Sequence, residues 1–166
     1  RLIWKASIRD LLAFFLNHRQ KDMRIYKKIA IVLLVSIFAK VGFSDVNSIH
    51  VSSRLDPNAI IITQVDIIFV YDQDLLNTFP STKTAWYSNQ RRFISEAGDK
   101  IDLISVFIPQ GFDSETVSLP ERNLEAIKIF VFSQHDDSEA PPIEISSFQK
   151  VLIEIDEFGI LVSRQG

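Results

Sequence analysis

The chain has 166 residues, 46% of them hydrophobic and 23% charged, with no cysteine and a formal net charge of −3. The absence of cysteine excludes disulfides, zinc–thiolate centres and thiol catalysis. The charge is divided: residues 1–44 carry 9 Lys/Arg against 2 Asp/Glu (net +7), and residues 45–166 carry 9 against 19 (net −10), so the second part lacks the cationic surface that nucleic-acid binding needs.

Residues 1–22 precede Met23, the only methionine, and read as an upstream or non-native extension. If they belong to the protein, Leu2, Ile3, Ile8, Leu11, Leu12 and Phe15 suit a short amphipathic helix. Met23 opens a secretory signal: Arg24, Lys27 and Lys28 form its basic start, Ile29 to Ala39 its apolar run, and Gly42 and Ser44 the small residues before a cut at Asp45. The run is shorter than the roughly 20 residues of a membrane span. A cleaved signal is therefore expected for residues 23–44, with an uncleaved anchor as the alternative. Either way, residues 45–166 are expected as one domain in the periplasm or cell envelope. About 120 residues can bury about two-thirds of their unfolded surface without disulfides.

Short strands follow. Ile49 to Ser52 alternates; Arg54 to Ala59 (RLDPNA) is a loop; Ile60 to Thr63 and Val65 to Tyr71 are β-rich, the latter nearly continuous and hence central. Asp72 to Asp74 ends it. Ser81 to Ala97 predicts a helix, with Ser81 or Thr82 as cap, Trp86, Gln90, Phe93 and Ala97 on its inner stripe, and Gly98 at its end. Lys100 to Ile108, Glu115 to Leu119 (an edge strand), Ala126 to Ser133, Ile143 to Ile145, Lys150 to Ile155 and Ile160 to Ser163 complete the series, with Gly159 in the last turn. The expected fold is mainly β: a β-sandwich of about eight short strands with one inserted helix, preceded by the N-terminal signal or anchor helix.

Few residues suggest chemistry. His135-Asp136-Asp137 is a metal-capable run, with His50 the other histidine of this part, but adjacent residues seldom converge on one ion and a solvated loop is expected. No G-x-S-x-G turn accompanies the serines, and no glycine-rich phosphate loop is present. Asp66 interrupts the apolar strand VDIIFVY and is expected near the strand start, facing water. Tyr87 and Arg91 are expected as an exposed helical pair. These observations favour a domain that binds through loops or an edge strand, with no cofactor and no metal. The alternatives are an exported metal-dependent hydrolase centred on His135, Asp136 and Asp137, or a periplasmic small-ligand carrier with a pocket between its sheets.

The order of features also resembles a known family. The signal segment, the strand IHVSS, Leu55-Asp56-Pro57-Asn58, the strand Val65 to Tyr71 and the turn Ile108-Pro109-Gln110-Gly111 are together similar to the TssJ family, the outer-membrane lipoproteins of bacterial type VI secretion. The departure is the lipidated cysteine: Ser44 and Asp45 stand in its place. The resemblance implies a two-sheet periplasmic sandwich whose first interstrand loop meets an inner-membrane secretion component. Here that loop is Arg54, Leu55, Asp56, Pro57, Asn58 and Ala59. The expected partner is thus a protein of the bacterial envelope, with no nucleic acid, and with membrane contact only through the N-terminal segment.

Overall fold

The computed structural model describes residues 43–165; the extension at 1–22 and most of the signal segment, 23–42, lie outside the described residues. Among the described residues no helix is long and apolar enough to cross a membrane.

Among the described residues eight strands form two four-stranded sheets. The first has the order β4-β1-β7-β8, from β1 (Ser48–Ser53), β4 (Ser114–Thr116), β7 (Lys150–Ile155) and β8 (Ile160–Arg164). The second has the order β3-β2-β5-β6, from β2 (Thr63–Val70), β3 (Ile101–Ile108), β5 (Lys128–Ser133) and β6 (Ile143–Glu144). Two helices join β2 to β3: α1 (Gln73–Leu76) and α2 (Lys83–Ala97). The β-sandwich with an inserted helix is therefore the observed architecture.

Strand parity explains the layering. On β2, Val65, Ile67 and Phe69 enter the cluster between the sheets, with Ile49, Val51, Ile129, Val131, Ile153 and Ile155. The intervening Ile68 and Val70 pack on the other face with Trp86, Ala97, Ile101 and Phe132. Successive side chains point to opposite faces, so a strand buried on both needs the near-continuous apolar run seen here. Every residue from Val65 to Val70 is buried. Helix α2 seals the second face: Thr82 Oγ1 caps it by accepting from Ala85 N at 3.2 Å, and Gly98 closes it at φ +57°. Its inner stripe is as expected, with Trp86 and Ala97 buried.

Three elements differ from expectation. Ile60 and Ile62 are exposed loop residues, and only Thr63 of the expected strand Ile60–Thr63 joins the ladder, within β2. Strand β4 covers Ser114–Thr116 and not Glu115–Leu119; Val117 N still bonds Ile49 O at 2.9 Å before the chain turns away towards Pro120. Helix α1 follows β2 where a simple strand end was expected, because Asp72 Oδ1 accepts from Leu75 N at 3.0 Å and caps a single turn.

Strands β1 and β7 are parallel, with Ser48 opposite Lys150 and Ser53 opposite Ile155. Their C-terminal ends are thus neighbours, and Arg54 N bonds Ile155 O at 2.8 Å. Strand β2 starts at this same end, opposite the last residues of β3 and β5 (Thr63 to Ile108, Val65 to Ser133). The connections β1–β2, β3–β4, β5–β6 and β7–β8 therefore gather at one end of the sandwich.

Candidate functional site

The β1–β2 loop stands at that end. Asp56 shapes it twice: its Oδ1 accepts from Asn58 N at 2.8 Å and its carbonyl accepts from Ala59 N at 2.8 Å. Leu55 N donates to Ser53 Oγ at 3.1 Å while the Leu55 side chain packs on the sandwich core, anchoring the loop. Arg54 lies 3.4 Å from Glu154 Oε1, tying the loop to β7. Pro57, Asn58 and the Asp56 side chain are exposed, and Ile60 beyond them is 87% exposed. The structure thus brings all six expected residues, Arg54 to Ala59, into one anchored projection.

A groove of about 480 Å³ runs between this loop and the β7–β8 turn, lined by Arg54, Leu55, Asp56, Ala59, Ile61 and the turn residues Asp156 to Phe158. Phe158 is 80% exposed. Its ring stands largely in water at the tip of the β7–β8 hairpin, at the mouth of this groove. Asp156 builds the turn, its Oδ1 accepting from Phe158 N at 2.8 Å and Gly159 N at 3.0 Å. On the loop's other side, Leu55 and Pro57 adjoin the turn Pro109 to Phe112, which is closed by Phe112 N to Pro109 O at 3.1 Å and by Gly111 at φ +77°. Phe158 was missed in the sequence, although an aromatic residue inside DEFG, where turn chemistry favours polar residues, was the available signal.

The remaining candidates are structural. His135 does not sit in a solvated loop: its Nε2 donates to Asp156 O at 2.9 Å, so in the neutral ring Nδ1 accepts from Thr63 Oγ1 (2.9 Å) and Ser133 Oγ (2.7 Å). The imidazole pins β2, β5 and the β7–β8 turn together. The Ser133–His135 contact has the atoms of a nucleophile–base pair, but Ser133 is fully buried and Nε2 is spent on a carbonyl, so no substrate reaches the hydroxyl. Asp136 is also drawn in. Its Oδ1 accepts from Ile160 N at 3.0 Å, and burial pushes its carboxyl above the usual range against the pull of His135 and that hydrogen bond. Among the described residues, no three His, Asp or Glu side chains gather as a metal site. His50 is remote, bonded to Thr116 Oγ1 at 3.0 Å.

Asp66 does not face water. It is fully buried, because it is the fourth residue of β2 and shares its face with Ile68 and Val70, under α2. Four donors satisfy it: Gln64 Nε2 (2.7 Å), Trp86 Nε1 (2.8 Å), Gln90 Nε2 (2.7 Å) and Ser105 Oγ (2.6 Å). Tyr87 is likewise not an exposed partner of Arg91. Its hydroxyl is buried without a hydrogen-bond partner among the described residues, and burial, with Asp66 next, pushes the phenol up. Position 87 lies seven residues before Ile94 and so falls at the border of the inner stripe.

No family model and no curated protein matches the chain. Solved structures do. The structure is similar to the type VI secretion lipoprotein TssJ1 from Pseudomonas aeruginosa (TM-score 0.47, 7% identity, 72% of this chain and 97% of that one). It is also similar to Serratia marcescens Lip, a membrane-bound component of the type VI secretion system (TM-score 0.45, 10% identity, 72% and 98%). A chain of a type VI membrane complex is similar at TM-score 0.48 and 15% identity over 71% of this chain and 98% of that one.

Proposed function

We propose that residues 45–166 form a non-catalytic docking domain of a bacterial envelope assembly of the type VI secretion kind, located in the periplasm and reached through the signal segment at 23–44. The secretion system is taken from the sequence resemblance; the solved structures similar to this chain carry the same description. The observation that carries the docking role is the loop end. There an anchored β1–β2 projection, an exposed Phe158 and an open groove are presented together, while the hydroxyl–imidazole pair that enzymology would need is sealed inside. Loops held on a rigid scaffold are the usual place for recognition.

The partner is an envelope protein, an inner-membrane secretion component in the reading the resemblance implies. It packs on Arg54 to Ala59 and covers Ile60 and Phe158, two large apolar side chains that water now surrounds. Burying exposed apolar side chains of this size at the centre of a contact is a main source of binding energy. The test is affinity capture from envelopes with the native chain and with a Pro57→Ala/Asn58→Asp variant. Loss of a secretion component from the variant, with its stability unchanged, is expected. Retention of every envelope partner would overturn the proposal.

A further inference from the structure

Strand β3, eight residues long, stands at the edge of its sheet with a strand neighbour on one side only. Tyr71 N bonds Lys100 O at 2.9 Å, and the β2–β3 register continues as Phe69–Asp102, Ile67–Ile104, Val65–Val106 and Thr63–Ile108. Antiparallel pairing alternates, so these even-numbered residues spend their main-chain groups on β2. Ile101, Leu103, Ser105 and Phe107 then point their N–H and C=O groups away from the sheet. Among the described residues none of these groups has another hydrogen-bond partner.

The other edges are shorter. Strands β4 and β6 have three and two residues and β8 has five, where the outward N–H of Ile160 is taken by Asp136 Oδ1. Strand β3 (IDLISVFI) has no Pro or Gly, its single charged residue is Asp102, paired with Arg122 near one end, and its Phe107 is 60% exposed. Long, largely apolar edges are acceptors for an added strand.

The surrounding charge chooses the occupant. The two cations near the strand are already paired, Lys100 with Asp72 at 3.3 Å and Arg122 with Asp102 at 3.0 Å. Asp99, two residues before the strand, has no salt-bridge partner among the described residues. Residues 45–166 of a second copy would bring a net −10 (9 Lys/Arg, 19 Asp/Glu) against this edge. We propose that β3 accepts an extended segment of a different protein, with apolar residues at alternate positions beside Leu103 and Phe107 and Lys or Arg between them. This surface is separate from the β1–β2 loop, and the inference stands without that docking reading.

The experiment is amide hydrogen exchange on the full chain in mild detergent. It is mixed with a synthetic peptide of about eight residues alternating Val and Lys, and separately with its Val/Glu counterpart. The Lys peptide is expected to slow exchange at Leu103, Ser105 and Phe107 about tenfold, and the Glu peptide to leave it unchanged. Phe107→Pro removes an outward N–H that the fold does not use and is expected to abolish the effect. Phe107→Lys, which keeps the backbone, is expected to weaken it at least fivefold. Phe158→Ala is expected to leave it intact, which separates this edge from the loop groove. Unchanged exchange with the Lys peptide, equal slowing by the Glu peptide, or slowing that grows with protein concentration and needs no peptide would overturn the proposal, the last pointing to a second copy.

Discussion

Trp86 Nε1 donates to Asp66 Oδ2 at 2.8 Å across the interface between α2 and β2, and both residues are fully buried. The indole therefore does two things: it fills the helix–sheet layer, stacked on Phe132 at 5.8 Å, and it supplies one of four donors to a buried carboxylate. Trp86→Phe keeps an aromatic ring and removes the donor. It is expected to cost about 1–3 kcal/mol, the range for leaving a buried acceptor short of a donor. Trp86→Ala adds a cavity and is expected to cost about 3–5 kcal/mol or more. Urea unfolding measures both.

Two carboxylates give the pH dependence opposite signs. The Arg122 guanidinium, with the Tyr71 phenol, holds Asp102 below the usual carboxylate range: Arg122 Nε lies 3.0 Å and Tyr71 Oη 2.8 Å from Oδ2. A depressed folded value adds stability that is present above the unfolded value, about pH 3.9, and lost as pH falls through the folded value. Asp102→Asn is therefore expected to destabilise at pH 7 by about 1 kcal/mol, the pair being partly exposed, and to cost little near pH 2. Asp136 is raised by burial, so its favourable contribution is complete below its unfolded value and is lost as pH rises through the folded one. Asp136→Asn keeps an acceptor for Ile160 N and is expected to be tolerated better at pH 7 than at pH 3. Thermal unfolding from pH 2 to 7 compares the two.

Gly159 leaves room for Asp136. A Cβ at position 159 would fall 1.9 Å from Asp136 Oδ1, the atom that accepts from Ile160 N. Gly159→Ala must displace that carboxylate and is expected to cost about 1–3 kcal/mol. In the Asp136→Ala background the same change is expected to cost measurably less, because the clash is gone. A double-mutant cycle reads this coupling directly.

Much of the fold was legible in the chain. The continuous run Val65 to Tyr71, the stripe Trp86, Gln90, Phe93, Ala97 and the alternation in Lys150 to Ile155 mark a two-face strand, a one-face helix and a half-buried strand. What the chain hides is pairing. A strand's own pattern says nothing of its neighbours, so the parallel β1–β7 ladder that gathers four connections at one end was not readable. Asp66 was misplaced for a local reason: its parity with Ile68 and Val70 put it under α2, and that parity was available. The loop Arg54 to Ala59 was found through its turn residues and the family resemblance. Phe158 could have been picked out as the aromatic residue of DEFG, whereas the edge position of β3 is visible only once the ladders are assembled.

Side chains at the loop end are expected to be separable from stability. Phe158→Ser and Asn58→Asp remove no core contact and are expected to change the unfolding free energy by less than about 0.5 kcal/mol. Denaturant midpoints within error of the native chain check this, and they are the control that any loss of partner binding requires.

The most direct measurement is site-specific photo-crosslinking in cells producing the protein, with the probe at Asn58, at Phe158 and at Gln165. Gln165 lies at the opposite end of the first sheet, in a polar groove with Asp45, Lys150 and Arg164. The account predicts crosslinks to a secretion component of the envelope from positions 58 and 158 and none from 165. Crosslinks from 165 alone, or silence at both 58 and 158 in folded, exported protein, would contradict it.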